Sequence, residues 1–197
     1  MSTESIMGYA AMFFGILGSW GLYKQASMIW LNKSTKSVSG TWIVTYLAMF
    51  IAFLTYGLQQ NSFPMEFQGW LRVGFSVPVT LGFFIYGKIN KIDWVLIPIY
   101  ILFLIIMSLK IQAPLFFTAF SFLGIFASFV QAYTVWKNRF RGLLSVELQL
   151  IYLLAVISWT VYGIVRKDIP LIIVSVGFVL SYSSTIFMWL KYPKQLN

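Results

Sequence analysis

The sequence predicts an all-α membrane protein: seven transmembrane helices, arranged as two parallel three-helix bundles joined by one linker helix. Three observations predict it. The first is composition. Of 197 residues, 59% are hydrophobic and only 10% are charged, and mean hydropathy is +0.82. A soluble domain carries roughly 25% charged residues, so this chain cannot cover itself with polar surface. The second is a series of seven apolar runs, each near the roughly 20 residues that cross a bilayer. The third is an internal repeat at an offset of 106 residues.

The repeat is clearest around QASMIWLNKSTKSVS, from Gln25 to Ser39, which returns as QAYTVWKNRFRGLLS, from Gln131 to Ser145. Gln25 matches Gln131, Ala26 matches Ala132, Trp30 matches Trp136, and Asn32 matches Asn138. The register holds without a gap through Tyr46 and Tyr152, Tyr56-Gly57 and Tyr162-Gly163, Pro64 and Pro170, and Tyr86 and Tyr192. A repeat of this kind means two copies of one structural unit.

In chain order the apolar runs are 7–29, 42–59, 67–87, 93–110, 114–136, 146–165 and 169–191. The fourth is short and lies between the copies. This gives three units: residues 1–88 as the first repeat, 89–112 as the linker and 113–197 as the second repeat. Two three-helix units of equal orientation need an odd number of spans between them, and one is the minimum. No cleavable signal peptide is expected, since MSTES carries no basic segment ahead of the first run.

Net charge is +9, and the basic residues lie in the short loops. Lys33, Lys36, Lys88, Lys91, Lys137, Arg139, Arg141, Lys191 and Lys194 fall on one side. Lys110, Arg166 and Lys167 fall on the other, with Glu4 and Glu66. The positive-inside rule then puts the N-terminus outside and the C-terminus in the cytosol. The positive charge is topological, and no nucleic-acid partner is expected. The chain has no cysteine and no histidine. That excludes disulfides, thiol nucleophiles, histidine relays and cysteine–histidine zinc sites. With no deep carboxylate pair either, no enzyme, metal or cofactor is expected.

Two similar bundles imply a pseudo-symmetric cavity, the place where transporters with internal repeats hold their solute. Candidates to line it are mid-span aromatic and polar residues. Phe53 and its repeat partner Trp159 could sandwich a flat ligand, and packing alone is the plainer alternative. The seventh span is rich in hydroxyls, and Ser175 and Tyr182 are its cavity-facing candidates. The third span carries Gln68 and Arg72. Intramembrane arginine is costly and functional by default. Arg72, about five residues into its run, is expected either to bind a carboxylate or phosphate or to reach the outer interface beside Glu66.

Gln25 and Gln131 close the first and fifth spans, where they are candidates for a cytosolic gate or for helix-to-helix hydrogen bonds. Lys24 and Glu147 share that depth, so an ion pair closing the cytosolic mouth is expected. Asn32 and Asn138 are expected to cap their helices. Pro78 and Pro98 are candidate bends. No acid lies deep in a span, which favours a facilitator over a proton-driven carrier.

Three helices plus one plus three, with a duplicated glutamine, a basic turn and Lys33-Ser34-Thr35-Lys36-Ser37-Val38-Ser39, resembles the PQ-loop and SWEET transporter superfamily. The resemblance covers nearly the whole chain and implies alternating access. Lys24 and Val130 stand where the family has the proline before the glutamine, so the hinge is expected at Pro78, Pro98 or the glycines. The asparagines of the family's sugar carriers fall on Gly69, beside Gln68, and on Ser175, so the resemblance does not imply a sugar. The buried acid of amino-acid exporters is absent.

The sequence therefore predicts a transporter for a small polar metabolite, either sugar, amino acid or vitamin-like, working as a facilitator. A receptor of the same fold, binding a peptide terminus or anionic ligand without transport, is the alternative. The expected partners are a small-molecule substrate and the lipid bilayer, and the sequence is compatible with a homo-oligomer. The compact loops suggest a bacterial cytoplasmic membrane.

Overall fold

The computed structural model describes residues 2–35, 40–89, 91–109, 112–139 and 146–192, excepting the side chains of Trp42, Gln131, Thr134 and Asn138. Among these residues the fold is all helix: α1 (Thr3–Asn32), α2 (Gly40–Gln59), α3 (Phe63–Tyr86), α4 (Lys91–Ser108), α5 (Ala113–Asn138), α6 (Val146–Arg166) and α7 (Ile169–Lys191). Six are long and apolar enough to cross a membrane, and the described apolar stretch of α2, Ile43–Gln59, is shorter. The chain is a multi-pass membrane protein. Lys36, Ser37, Val38, Ser39, Lys110, Arg141, Ser145 and Lys194 lie outside the described residues.

The repeat reappears in the backbone. α2 ends with Asn61 at φ 48° and α6 with Lys167 at φ 56°, both left-handed. Ser62 N–H donates to the Gly57 carbonyl and Asn61 N–H to that of Leu58. Asp168 N–H donates to Gly163 and Lys167 N–H to Ile164, the same bonds 106 residues on. This is a Schellman C-terminus, which satisfies carbonyls the helix leaves without an internal partner. Each turn then starts the next helix with a proline in its first two positions, Pro64 or Pro170. At α7, Asp168 also accepts a hydrogen bond from Leu171 N–H at 3.1 Å. A glutamate and an N-cap with proline thus extend α3 four residues upstream of its apolar run, to Phe63.

The chain divides into two compact units, one of residues 16–120 and one of residues 1–15 with 121–197. In the first, α3 packs between α1 and α2. A side chain on Gly69 would stand 2.7 Å from Leu54 Cα, so glycine lets the α2 and α3 backbones close on each other. Gly82 does the same toward α1, where Ile29 would lie 2.7 Å from an added Cβ. α4 runs parallel to α2 and is tied to it along its length. Thr41 Oγ1 donates to Asp93 at 2.6 Å, Thr45 and Tyr100 share a hydroxyl bond of 3.1 Å, and Gln59 Nε2 donates to the Met107 carbonyl at 2.7 Å. The start of α5 joins through Phe117, stacked on Tyr56 with ring centres 4.4 Å apart.

In the second unit α6 and α7 form the hairpin that mirrors α2 and α3. α5 meets α7 where Gly177 lies against Ile125, 2.7 Å from an added Cβ. The start of α1 is held by an ion pair of 3.1 Å between Glu4 and Arg166, whose guanidinium also donates to the Tyr162 hydroxyl.

Candidate functional site

In the unit of residues 16–120, the candidates are Phe53 on α2 with Gln68 and Arg72 on α3. Antiparallel packing sets Phe50, Leu54 and Gly57 of α2 against Arg72, Gly69 and Met65 of α3. Phe53 is half-buried, 6.1 Å from the Phe117 ring. The Arg72 guanidinium lies 5.3 Å from the centre of the buried Phe50 ring. Because α3 starts at Phe63, Arg72 stands nine residues into it, about 13 Å along the axis at 1.5 Å per residue. Its distance from the start of the apolar run at residue 67 is the expected five residues.

Gln68 is the most unusual polar residue here. It is 1% exposed, and neither Nε2 nor Oε1 has a hydrogen-bond partner among the described residues. Leaving a buried amide unbonded costs about 1–3 kcal/mol. Four residues separate it from Arg72, so both belong to one face of α3.

In the other unit, the candidates are Trp159 on α6 with Ser175 and Tyr182 on α7. Trp159 is buried and meets Tyr162 edge-to-face at 5.4 Å. Tyr182 stacks with both Tyr152, at 5.5 Å, and Phe178, at 5.7 Å. Ser175 is buried and donates to the Leu171 carbonyl at 2.7 Å. Ser181, Ser184 and Thr185 likewise donate to carbonyls three or four residues back. The polar face of α7 spends its hydroxyl protons on its own backbone.

The proposed gate and hinge residues are less alike. Lys24 is exposed and Gln25 half-buried on α1, while the Gln131 side chain lies outside the described residues. Glu147 is exposed in the first turn of α6. Asn32 caps α1 by donating to the Met28 carbonyl at 2.9 Å, and the Asn138 side chain lies outside the described residues. Pro78, inside α3, accepts the Trp30 indole N–H on its carbonyl at 2.9 Å. Tyr86 meets Trp30 edge-to-face at 5.7 Å. The kink-prone stretch of α3 is thus clamped to α1 by the tryptophan of the repeated motif. Sequence reading noted the Trp30 and Tyr86 repeats without this role. It also missed Asp93, which is fully buried against Thr41.

All five acids of the chain occupy helix starts. Glu4, Glu66, Asp93 and Glu147 are in first turns and Asp168 is an N-cap. That is where the helix dipole favours negative charge. Among the described residues no group of histidine, cysteine, aspartate or glutamate could hold a metal ion.

Nearly the whole chain superposes on a solved transporter structure. A eukaryotic SWEET transporter matches it with a TM-score of 0.72, over 96% of this chain and 98% of that one, at 16% sequence identity. The fold is SWEET-like. No family model and no curated protein matches the sequence. The SWEET-like fold therefore rests on geometry, with most side chains different.

Proposed function

We propose that this chain is a membrane transporter moving a small polar metabolite by alternating access, as a facilitator. The observation that carries the proposal is the superposition on a SWEET transporter over nearly the full length of both chains. The duplicated turns support it, since alternating access in repeat transporters is the movement of one repeat against the other. In this reading residues 1–88 and 113–197 are the two repeats and 89–112 the linker. The N-terminus faces out and the C-terminus faces the cytosol of a bacterial cell.

Phe53, Gln68, Arg72, Trp159, Ser175 and Tyr182 are the substrate-binding residues of this proposal. Lys24, Gln25, Gln131 and Glu147 gate the cytosolic side, and Pro78 is the hinge. Confinement of every acid to a helix start supports facilitation, because proton-driven carriers need a titrating group deep in a span. The test is uptake into proteoliposomes. Saturable, protein-dependent uptake that a proton gradient leaves unchanged supports the proposal. Binding without uptake favours the receptor.

A further inference from the structure

We propose that the solute carries a neutral amide or lactam edge, an N–H beside a carbonyl oxygen, and that Gln68 reads it. This rests on the transporter reading only for the word solute; the site itself is a binding claim. Gln68 is 1% exposed on a helix long and apolar enough to cross a membrane, and neither of its amide atoms has a hydrogen-bond partner among the described residues. A buried donor and acceptor left unmet destabilise a fold, so such a group calls for a partner from outside the chain.

Neighbouring contacts fix where the amide lies. Met65 and Gly69, on either side of Gln68 in sequence, pack on Gly57 and Leu54 of α2. Phe75, two turns on, meets Tyr23 of α1 edge-to-face at 6.4 Å. Gln68 therefore lies where the α2-facing and α1-facing sides of α3 adjoin, within the unit of residues 16–120.

The charges nearby select against an ion. Glu66 is two residues away, a spacing that does not share a helix face. Arg72, one turn on, is already engaged within the chain, over the Phe50 ring and through a further interaction. An ionised ligand group would be buried at Gln68 without a counter-charge, which costs far more than burying a neutral one. The ligand group is therefore neutral, and it must both give and accept. The glutamine side chain holds its carbonyl oxygen and its NH2 side by side in one plane. Its complement is a second planar pair, and glutamine reads adenine in DNA by the same two-bond match. Primary amides and lactams present such a pair. A vicinal diol, with its hydroxyls twisted apart, does not hold both bonds in one plane.

The test uses purified full-length protein in nanodiscs. Thermal stabilisation is measured with nicotinamide, δ-valerolactam and uracil. Each is set beside its fully N-methylated analogue, which keeps the carbonyl and loses the N–H, and nicotinate and glucose complete the panel. The expected result is stabilisation by at least one amide or lactam, with its methylated analogue at least about tenfold weaker. Gln68→Leu and Gln68→Met are each expected to weaken that binding by a similar factor. Gln68→Leu has a second readout. With no ligand it is expected to raise the thermal midpoint, because it removes a buried amide that the fold does not satisfy.

No stabilisation by any amide or lactam, equal binding of a methylated analogue, tighter binding of nicotinate or glucose, or indifference to both Gln68 variants would each overturn the proposal. So would a lowered midpoint for ligand-free Gln68→Leu, which would show the amide bonded within the fold, by the chain or by a trapped water. Uptake separates the two claims. Amide binding without uptake leaves this site standing and removes the transporter. Uptake of another solute that Gln68→Leu leaves unimpaired does the reverse.

Discussion

Two single residues set the local terms of this fold, one by a hydrogen bond and one by a backbone angle. Trp30 joins α1 to α3 through one indole bond to the Pro78 carbonyl. Trp30→Phe keeps much of the ring packing against Tyr86 and removes that donor. It is expected to destabilise the protein by about 1 kcal/mol, measured as a shift in thermal unfolding. A loss of transport rate well beyond that stability change would mark the bond as part of the hinge. Lys167 is a lysine in a left-handed conformation, φ 56°. Lys167→Gly relieves the Cβ clash and is expected to stabilise by about 1 kcal/mol, an upward shift in the same assay. The matching turn holds Asn61, which tolerates that conformation better, so Asn61→Gly should gain less.

Helix pairs explain what the sequence could and could not reveal. The repeat was legible because the residues that survive in both copies are structural: Tyr56-Gly57 and Tyr162-Gly163 lead into the turn, and Pro64 and Pro170 start the next helix. Chemistry at fixed local spacing survives divergence. α3 begins four residues before its apolar run because Phe63-Pro64-Met65-Glu66 carries a charge and a proline, which end an apolar run yet favour a helix start. The ties between α2 and α4 were illegible. Thr41 and Asp93 are 52 residues apart, and nothing in composition pairs them.

The candidate binding residues were legible as types and not as states. That Ser175 is on a polar stretch of α7 is readable; that its proton goes to Leu171 is a matter of rotamer. Gln68 stood out as an amide in an apolar run, but its unbonded state needed coordinates. At this scale one more prediction follows from close packing. Gly69→Val forces atoms against Leu54 Cα, which cannot yield as a side-chain tip can. It is expected to cost about 2 kcal/mol or more, by overpacking. Gly74→Ala, at a glycine with open space around it, is the control and should stabilise the helix slightly, by about 0.5–1 kcal/mol. Equal unfolding midpoints for the two variants would contradict the packing described.

For the molecule as a whole, the fold survives with 16% identity to a SWEET transporter because membrane helices ask little of the sequence beyond apolar length, close-packing glycines and well-terminated turns. Other side chains are free to differ, and at 16% identity most of them do. Among the residues of this chain, Gln68 and Arg72 place an amide and a cation on α3.

The most direct measurement is solute uptake by the purified chain reconstituted into liposomes, run with and without an imposed proton gradient. The account predicts saturable uptake of a small polar solute down its own gradient, unchanged by the proton gradient and sharply reduced by Trp159→Ala. Specific binding in nanodiscs with no protein-dependent uptake in liposomes would contradict it, and would leave a receptor built on a transporter's fold.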